Sequence, residues 1–283
     1  MKIIYSKKCG EFFDKSEEEL PYRILKTAKL LRKNNFKFIQ PQKATEKDIL
    51  RVHSKEHLDV LKYEKKDSPL VDYATLHKNI FDYTTLSAGG AILAMEKCFE
   101  EKTFSLMRPP GHHAGKTIGG FCFLNNISIA VKKALDEKKA KKVAIIDIDV
   151  HAGNGTQEMV LGDERILFCS IHQSPKYPWT CLTNEKNCFN FLVKKKTREK
   201  EYLKIFEEVI KKVKEFNPDL IAVSAGFDTF KKDRIGSIKL EKKTYRKIGK
   251  IIKSLNKPTF SVLEGGYSNY LPECVLNYII GLQ

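Results

Sequence analysis

Short apolar runs alternate along this chain with longer stretches that read as helices. Residues 2–5, 104–107, 143–146, 165–170, 220–224 and 259–263 have strand length, and the run Val143-Ala144-Ile145-Ile146 has no hydrophilic side. A strand polar on neither face is one covered by helices above and below, as in a parallel sheet. The spacing of Leu20, Ile24, Ala28 and Leu31 predicts a helix over 20–33 that carries Arg23; further helices are expected over 81–100, after Asn126 to about 135, over 199–216 and over 242–255. The alternation predicts an α/β fold, a single domain over 1–283 with an open, mostly parallel central sheet and helices on both faces. No Ser/Gly/Pro linker and no fixed-period repeat divides the chain, and residues 179–190 read as an irregular surface loop.

Several strands end alike, in a glycine turn with side chains suited to chemistry. After 143–146 come Asp147, Asp149 and His151 at spacing two, then Gly153, Asn154 and Gly155. Alternate side chains of an extended chain point the same way. All three can therefore converge at a strand's carboxyl end, where open α/β sheets bind ligands. One Asp there would read as a helix cap. Two carboxylates and an imidazole within five residues are costly to hold together unless a cation joins them, so a divalent metal is the economical reading. The run 104–107 leads into Arg108-Pro109-Pro110-Gly111-His112-His113, where prolines break regular structure and the glycine permits a turn that exposes both imidazoles. Gly119 and Gly120 precede Phe121, 220–224 leads to Asp228, and 259–263 leads to Tyr267. His53 and His57, at spacing four but without the glutamate of H-E-x-x-H, read as surface residues.

Composition narrows the setting. The formal charge is +16, mostly lysine dispersed as pairs such as Lys132-Lys133 and Lys211-Lys212, which reads as a solvated surface ahead of a nucleic-acid face. Either way, such a surface disfavours polycationic substrates. Seven cysteines with no C-x-x-C pair indicate neither a disulfide framework nor a thiolate zinc site. No apolar run reaches the roughly 20 residues a membrane span needs, and Met1–Tyr5 leads into charged sequence instead of a signal-peptide core, so a cytoplasmic protein is expected. Oligomeric state is left open.

The motifs RPPGHHAG at 108–115, GFCFLNN at 120–126, DIDVHAGNGTQ at 147–157, SAGFD at 224–228 and LEGGY at 263–267 together resemble the zinc-dependent histone deacetylase family, with its acetylpolyamine amidohydrolase and acetoin-utilisation relatives. The likeness covers almost the whole chain and lies nearest the class II and bacterial or archaeal branch. It implies the arginase/deacetylase fold and hydrolysis of the linear amide of an acylated amine, acetyl-lysine or a related compound, with acetylpolyamines the alternative. It further implies that Asp149, His151 and Asp228 bind one Zn²⁺. His113 would be general base and then acid, oriented by Asn154; His112, paired with Asp147, would help electrostatically, and Tyr267 would donate to the oxyanion. Phe121 and Tyr177, with Gly120 and Ile235, would line the acyl-lysine tunnel. Asp147 and Ser170 would hold a structural monovalent cation, usually potassium.

The chain departs from the family at the rim. Trp179 stands where relatives have a glycine. Near Ile235, flanked by Lys231, Lys232 and Arg234, polyamine-selective relatives carry an acid. Arginase-like manganese enzymes share the fold but use D-x-H-x-D where this chain has D-x-D-x-H, and metal analysis separates one zinc from two manganese ions. A non-catalytic polyanion-binding member of the fold is the other alternative, set against the filled catalytic positions. A neutral acetyl-lysine peptide should be turned over faster than acetylspermidine, as measured by amine release; a clear preference for acetylspermidine would contradict the charge argument.

Overall fold

The computed structural model describes residues 1–11, 18–72 and 75–283. Its strands are β1 (Lys2–Ile4), β2 (Lys37–Ile39), β3 (Thr103–Ser105), β4 (Val143–Asp147), β5 (Ile166–Gln173), β6 (Cys188–Val193), β7 (Leu220–Ala225) and β8 (Thr259–Leu263). They form one eight-stranded sheet in the order β2-β1-β3-β8-β7-β4-β5-β6. Every pairing is parallel, where the sequence reading allowed a mixed sheet. The helices are α1 (Tyr22–Lys33), α2 (Glu46–Ile49), α3 (Lys55–Lys62), α4 (Ile80–Lys97), α5 (Asn126–Asp136), α6 (Asn154–Val160), α7 (Glu199–Phe216), α8 (Lys242–Lys253) and α9 (Leu271–Leu282).

Both faces of β4 are dry. Ala144 and Ile146 join a core with Phe206 of α7, Ile248 of α8 and Tyr278 of α9. Val143 and Ile145 join the opposite core with Ile92 of α4 and Ile127 of α5. Strand alternation thus sends successive apolar side chains into two separate cores, which accounts for an apolar run with no polar face.

The strand order positions the site. After β3 the chain crosses to β4 and builds outward through β5 and β6, then returns so that β7 and β8 fill the gap between β4 and β3. Carboxyl ends far apart in sequence become neighbours at this switch point.

Three expectations are corrected. Residues 188–190 of the anticipated loop belong to edge strand β6, where Phe189 and Phe191 pack against the core and Asn190, between them, is also only partly exposed. Helix α9 was not anticipated; Leu271, Cys274, Val275, Tyr278, Ile279 and Leu282 are all buried against neighbours that include α1 and α8, which leaves little polar face for a periodicity to reveal. His53 and His57 are buried instead of superficial. Their rings lie 4.1 Å apart, His53 Nε2 accepts from the Asn125 amide at 2.9 Å, and His57 Nε2 lies 2.7 Å from the Phe123 carbonyl. They brace the segment that carries Phe121. Among the described residues, no helix is long and apolar enough to cross a membrane.

Candidate active site

Asp149 and His151 leave the end of β4, and Asp228 leaves the end of neighbouring β7. Their ligating atoms all lie within 4.8 Å of one another, in buried surroundings. His151 Nδ1 is 3.0 Å from Asp149 Oδ1 and 3.3 Å from Asp228 Oδ2. The other carboxylate lone pairs are engaged by backbone: Asp149 Oδ2 accepts from the Gly265 amide at 2.7 Å and Asp228 Oδ1 from Val150 at 2.8 Å. A Cβ on Gly265 would sit 2.2 Å from Asp228 Oδ2 and 2.5 Å from Asp149 Oδ2, so only glycine lets this turn close over both acids.

A divalent cation fits this donor set. Asp228 Oδ2 is buried and makes no hydrogen bond, although it faces the other two ligating atoms. Burial and the adjacent Asp149 charge push the Asp228 carboxyl up to about 7. Burial opposes charge on His151 as well, yet the adjacent Asp149 and Asp228 carboxylates hold it up to about 9. A cation would relieve the crowding that causes these shifts. Two oxygens and one nitrogen, with the remaining side turned to a cavity, are the donors expected of a catalytic zinc centre.

The two histidines are held differently. His112 donates from Nδ1 to Asp147 Oδ2 at 3.0 Å; burial disfavours its charge, but Asp149 and Asp147 raise it to about 10. His113 donates from Nδ1 to Asn154 Oδ1 at 2.7 Å, at the start of α6. Burial and the flanking His112 and His151 hold it well below the usual histidine range. Thus the acid beside one ring favours its charge, while burial and two neighbouring imidazoles disfavour charge on the other.

Tyr267 follows β8 and is buried except for its approach to the cavity. The Arg23 guanidinium of α1 lies 4.8 Å from its ring centre, and the Tyr22 hydroxyl donates to its carbonyl at 2.6 Å. A cavity of about 490 Å³ is lined by His113, His151, Tyr267 and the expected tunnel residues Gly120, Phe121, Tyr177 and Ile235. Gly120 and Phe121 are both left-handed, at φ 57° and 65°. That is ordinary for glycine and strained for phenylalanine, and it sets the Phe121 ring 6.0 Å from Tyr267. Trp179, at φ 64°, occupies the rim with a conformation glycine would adopt freely, and its side chain is 66% exposed. Asp147 and Ser170 are register partners across β4 and β5, and Ser170 Oγ lies 2.9 Å from His172 Nδ1.

Other residues that build the site went unrecognised in the sequence. Glu264, inside LEGGY, accepts from the Gly111 and His112 amides and from Ser224 Oγ, tying the histidine loop to β7 and β8. Asp233, lying among basic residues, accepts from Ile235 and Gly236 with one oxygen and from Tyr267 and Ser268 with the other. Gln173 and Lys176 also line the cavity. Glu19, for which no motif speaks, is fully buried between Arg23 and Arg108.

The histone deacetylase domain profile matches residues 15–281. The chain belongs to that family. A probable deacetylase of Archaeoglobus fulgidus is 36% identical over 271 residues, 89% of this chain and 75% of that protein. Acetylpolyamine amidohydrolase 1 of Pseudomonas aeruginosa is 35% identical over 195 residues, 64% of this chain and 56% of that protein. The crystal structure of acetylpolyamine aminohydrolase from Burkholderia pseudomallei superposes with TM-score 0.91 at 22% identity, covering 99% of this chain and 98% of that one, which establishes the arginase/deacetylase fold. This histone deacetylase family hydrolase therefore carries its chemistry on the family's scaffold.

The buried Glu19 gives a stability prediction. Burial would raise its pKa, but Arg108 and then Arg23 hold it below the ordinary 4.5. Its contribution is therefore complete above the unfolded value near ~4.3 and is lost as pH falls through the lower folded value. Glu19→Gln should cost about 3–5 kcal/mol near neutral pH by leaving two buried guanidinium groups short of an acid. The gap from wild type should narrow below about pH 4. Chemical denaturation across that range measures both effects.

Proposed function

We propose that this chain is a zinc-dependent amidohydrolase that removes the acyl group from an acylated amine, acetyl-lysine or a related linear amide. The observation that carries the reading is the convergence of the Asp149, His151 and Asp228 ligand atoms beside His113 and Tyr267 on one narrow, mainly aromatic cavity. Held by those three side chains, Zn²⁺ would supply Lewis acidity to activate water and polarise the amide carbonyl.

The protein's own groups do the rest. Asn154 occupies His113 Nδ1, which leaves Nε2 to take the proton of the attacking water and return it to the departing nitrogen. The Asp147–His112 pair keeps a positive charge close to where negative charge develops. The Tyr267 hydroxyl donates a hydrogen bond to the substrate oxygen as it gains charge. Phe121 and Tyr177 bury a methylene chain without demanding hydrogen bonds. The adjacency of Asp147 and Ser170 supports a structural potassium ion in the same reading.

The Pseudomonas relative favours acetylpolyamines as the second reading. Against it, the described residues of the cavity lining include Lys176 and no carboxylate.

Two measurements test the proposal. Tyr267→Phe should lower kcat on an acetyl-lysine peptide on the order of a hundredfold, with KM changed far less. Chelator treatment should abolish turnover and remove close to one metal ion per chain, and zinc should restore both; full turnover after the metal is gone would refute the mechanism.

A further inference from the structure

The cavity mouth is polar in one direction only. Among the described residues that line it, Lys176 carries an ammonium and none carries a carboxylate. Lys176 Nζ donates to the Ile235 carbonyl at 2.9 Å, a bond that joins the loop after β5 to the loop after β7 and fixes the charge at the mouth. A lysine ammonium has three N–H groups, so two stay available to a ligand.

On the same cavity, Gln173 is 6% exposed and its Oε1 is buried without a partner. An unpaired buried carbonyl oxygen is costly and suits a donor, so Gln173 does not itself draw an anion. Asp233 lies nearby but does not line the cavity, and its oxygens are not free to pair directly with a ligand ammonium. Both oxygens of Asp233 are occupied by the four amides of Ile235, Gly236, Tyr267 and Ser268. Lys231, Lys232 and Arg234 flank it on the exterior. A cationic tail emerging here meets like charge, whereas an anionic tail meets the Lys176 ammonium.

We infer that Lys176 is a specificity-determining residue: the enzyme favours acylated amines whose carrier ends in a carboxylate over those ending in an ammonium. This rests on the amidohydrolase reading above. Hydrolysis breaks the amide C–N bond with one water and yields acetate and the free amine; the distal carboxylate takes no part beyond binding.

The test uses three probes with the same methylene chain, ending in carboxylate, methyl or ammonium: 6-acetamidohexanoate, N-hexylacetamide and N-acetylcadaverine. For the zinc-loaded protein, kcat/KM is measured with wild type, Lys176→Met and Lys176→Glu, and calorimetric Kd in the slow Tyr267→Phe background with and without each Lys176 change. Wild type should prefer the carboxylate probe to the ammonium probe by about tenfold in both quantities, less at high salt. Lys176→Met should level the two and Lys176→Glu reverse them, with the methyl probe within about twofold throughout. Equal use of the three probes by wild type, or a preference that survives Lys176→Met, would overturn the role of Lys176 and leave the amidohydrolase reading intact. Charge-ranked Kd values with no turnover of any probe would instead support the charge selection and count against the amidohydrolase reading.

Discussion

Two carboxylates and an imidazole meet in a buried place at the base of the cavity, and much of the rest of the structure follows from holding them there. Asp149 and Asp228 are fully buried, and their ligating atoms and that of His151 lie within 4.8 Å of each other. Such a group is unstable by itself because burial raises the cost of each charge and proximity adds repulsion. The fold answers with backbone: the Gly265 and Val150 amides each donate to one acid. What the backbone leaves unsatisfied, Asp228 Oδ2, faces the remaining ligand atoms, as a candidate cation site requires.

A second tier of buried acids keeps the loops in register. Glu264 binds the histidine loop, Asp233 binds the Tyr267 turn to the segment after Asp228, and Glu19 lies between two arginines. Arg23 reaches further, from Glu19 to the Gly266 carbonyl at 2.8 Å and across the Tyr267 ring. Each of these acids accepts bonds from chain segments remote in sequence, so each converts a flexible connection into a fixed distance. Placement of a proton donor to within a fraction of an ångström depends on such support.

The cavity combines what the family shares with what is particular to this chain. Its aromatic walls and the His113–Tyr267 arrangement suit an extended acylated chain. Its mouth has Trp179 held in a left-handed conformation and Lys176 tied to Ile235.

The chain's pattern alone determined the α/β class, most strands, most of the longer helices and the residues that meet at the metal-type centre. These were legible because periodicity is local and because ligands at spacing two on one strand end need no knowledge of the partner strand. The spacing said that Asp149 and His151 share a side; that Asp228 joins them was carried by the family motifs, and its distance came only when β7 settled against β4. Tertiary structure also decided β6 and α9, whose residues lack a strong amphipathic signal, and the burial of His53 and His57. It alone revealed Glu19, Asp233, Glu264, Gln173 and Lys176 as parts of the site. Their significance lies in bonds to remote backbone or in facing a shared cavity, and such relations exist only once the sheet order has brought the loops together.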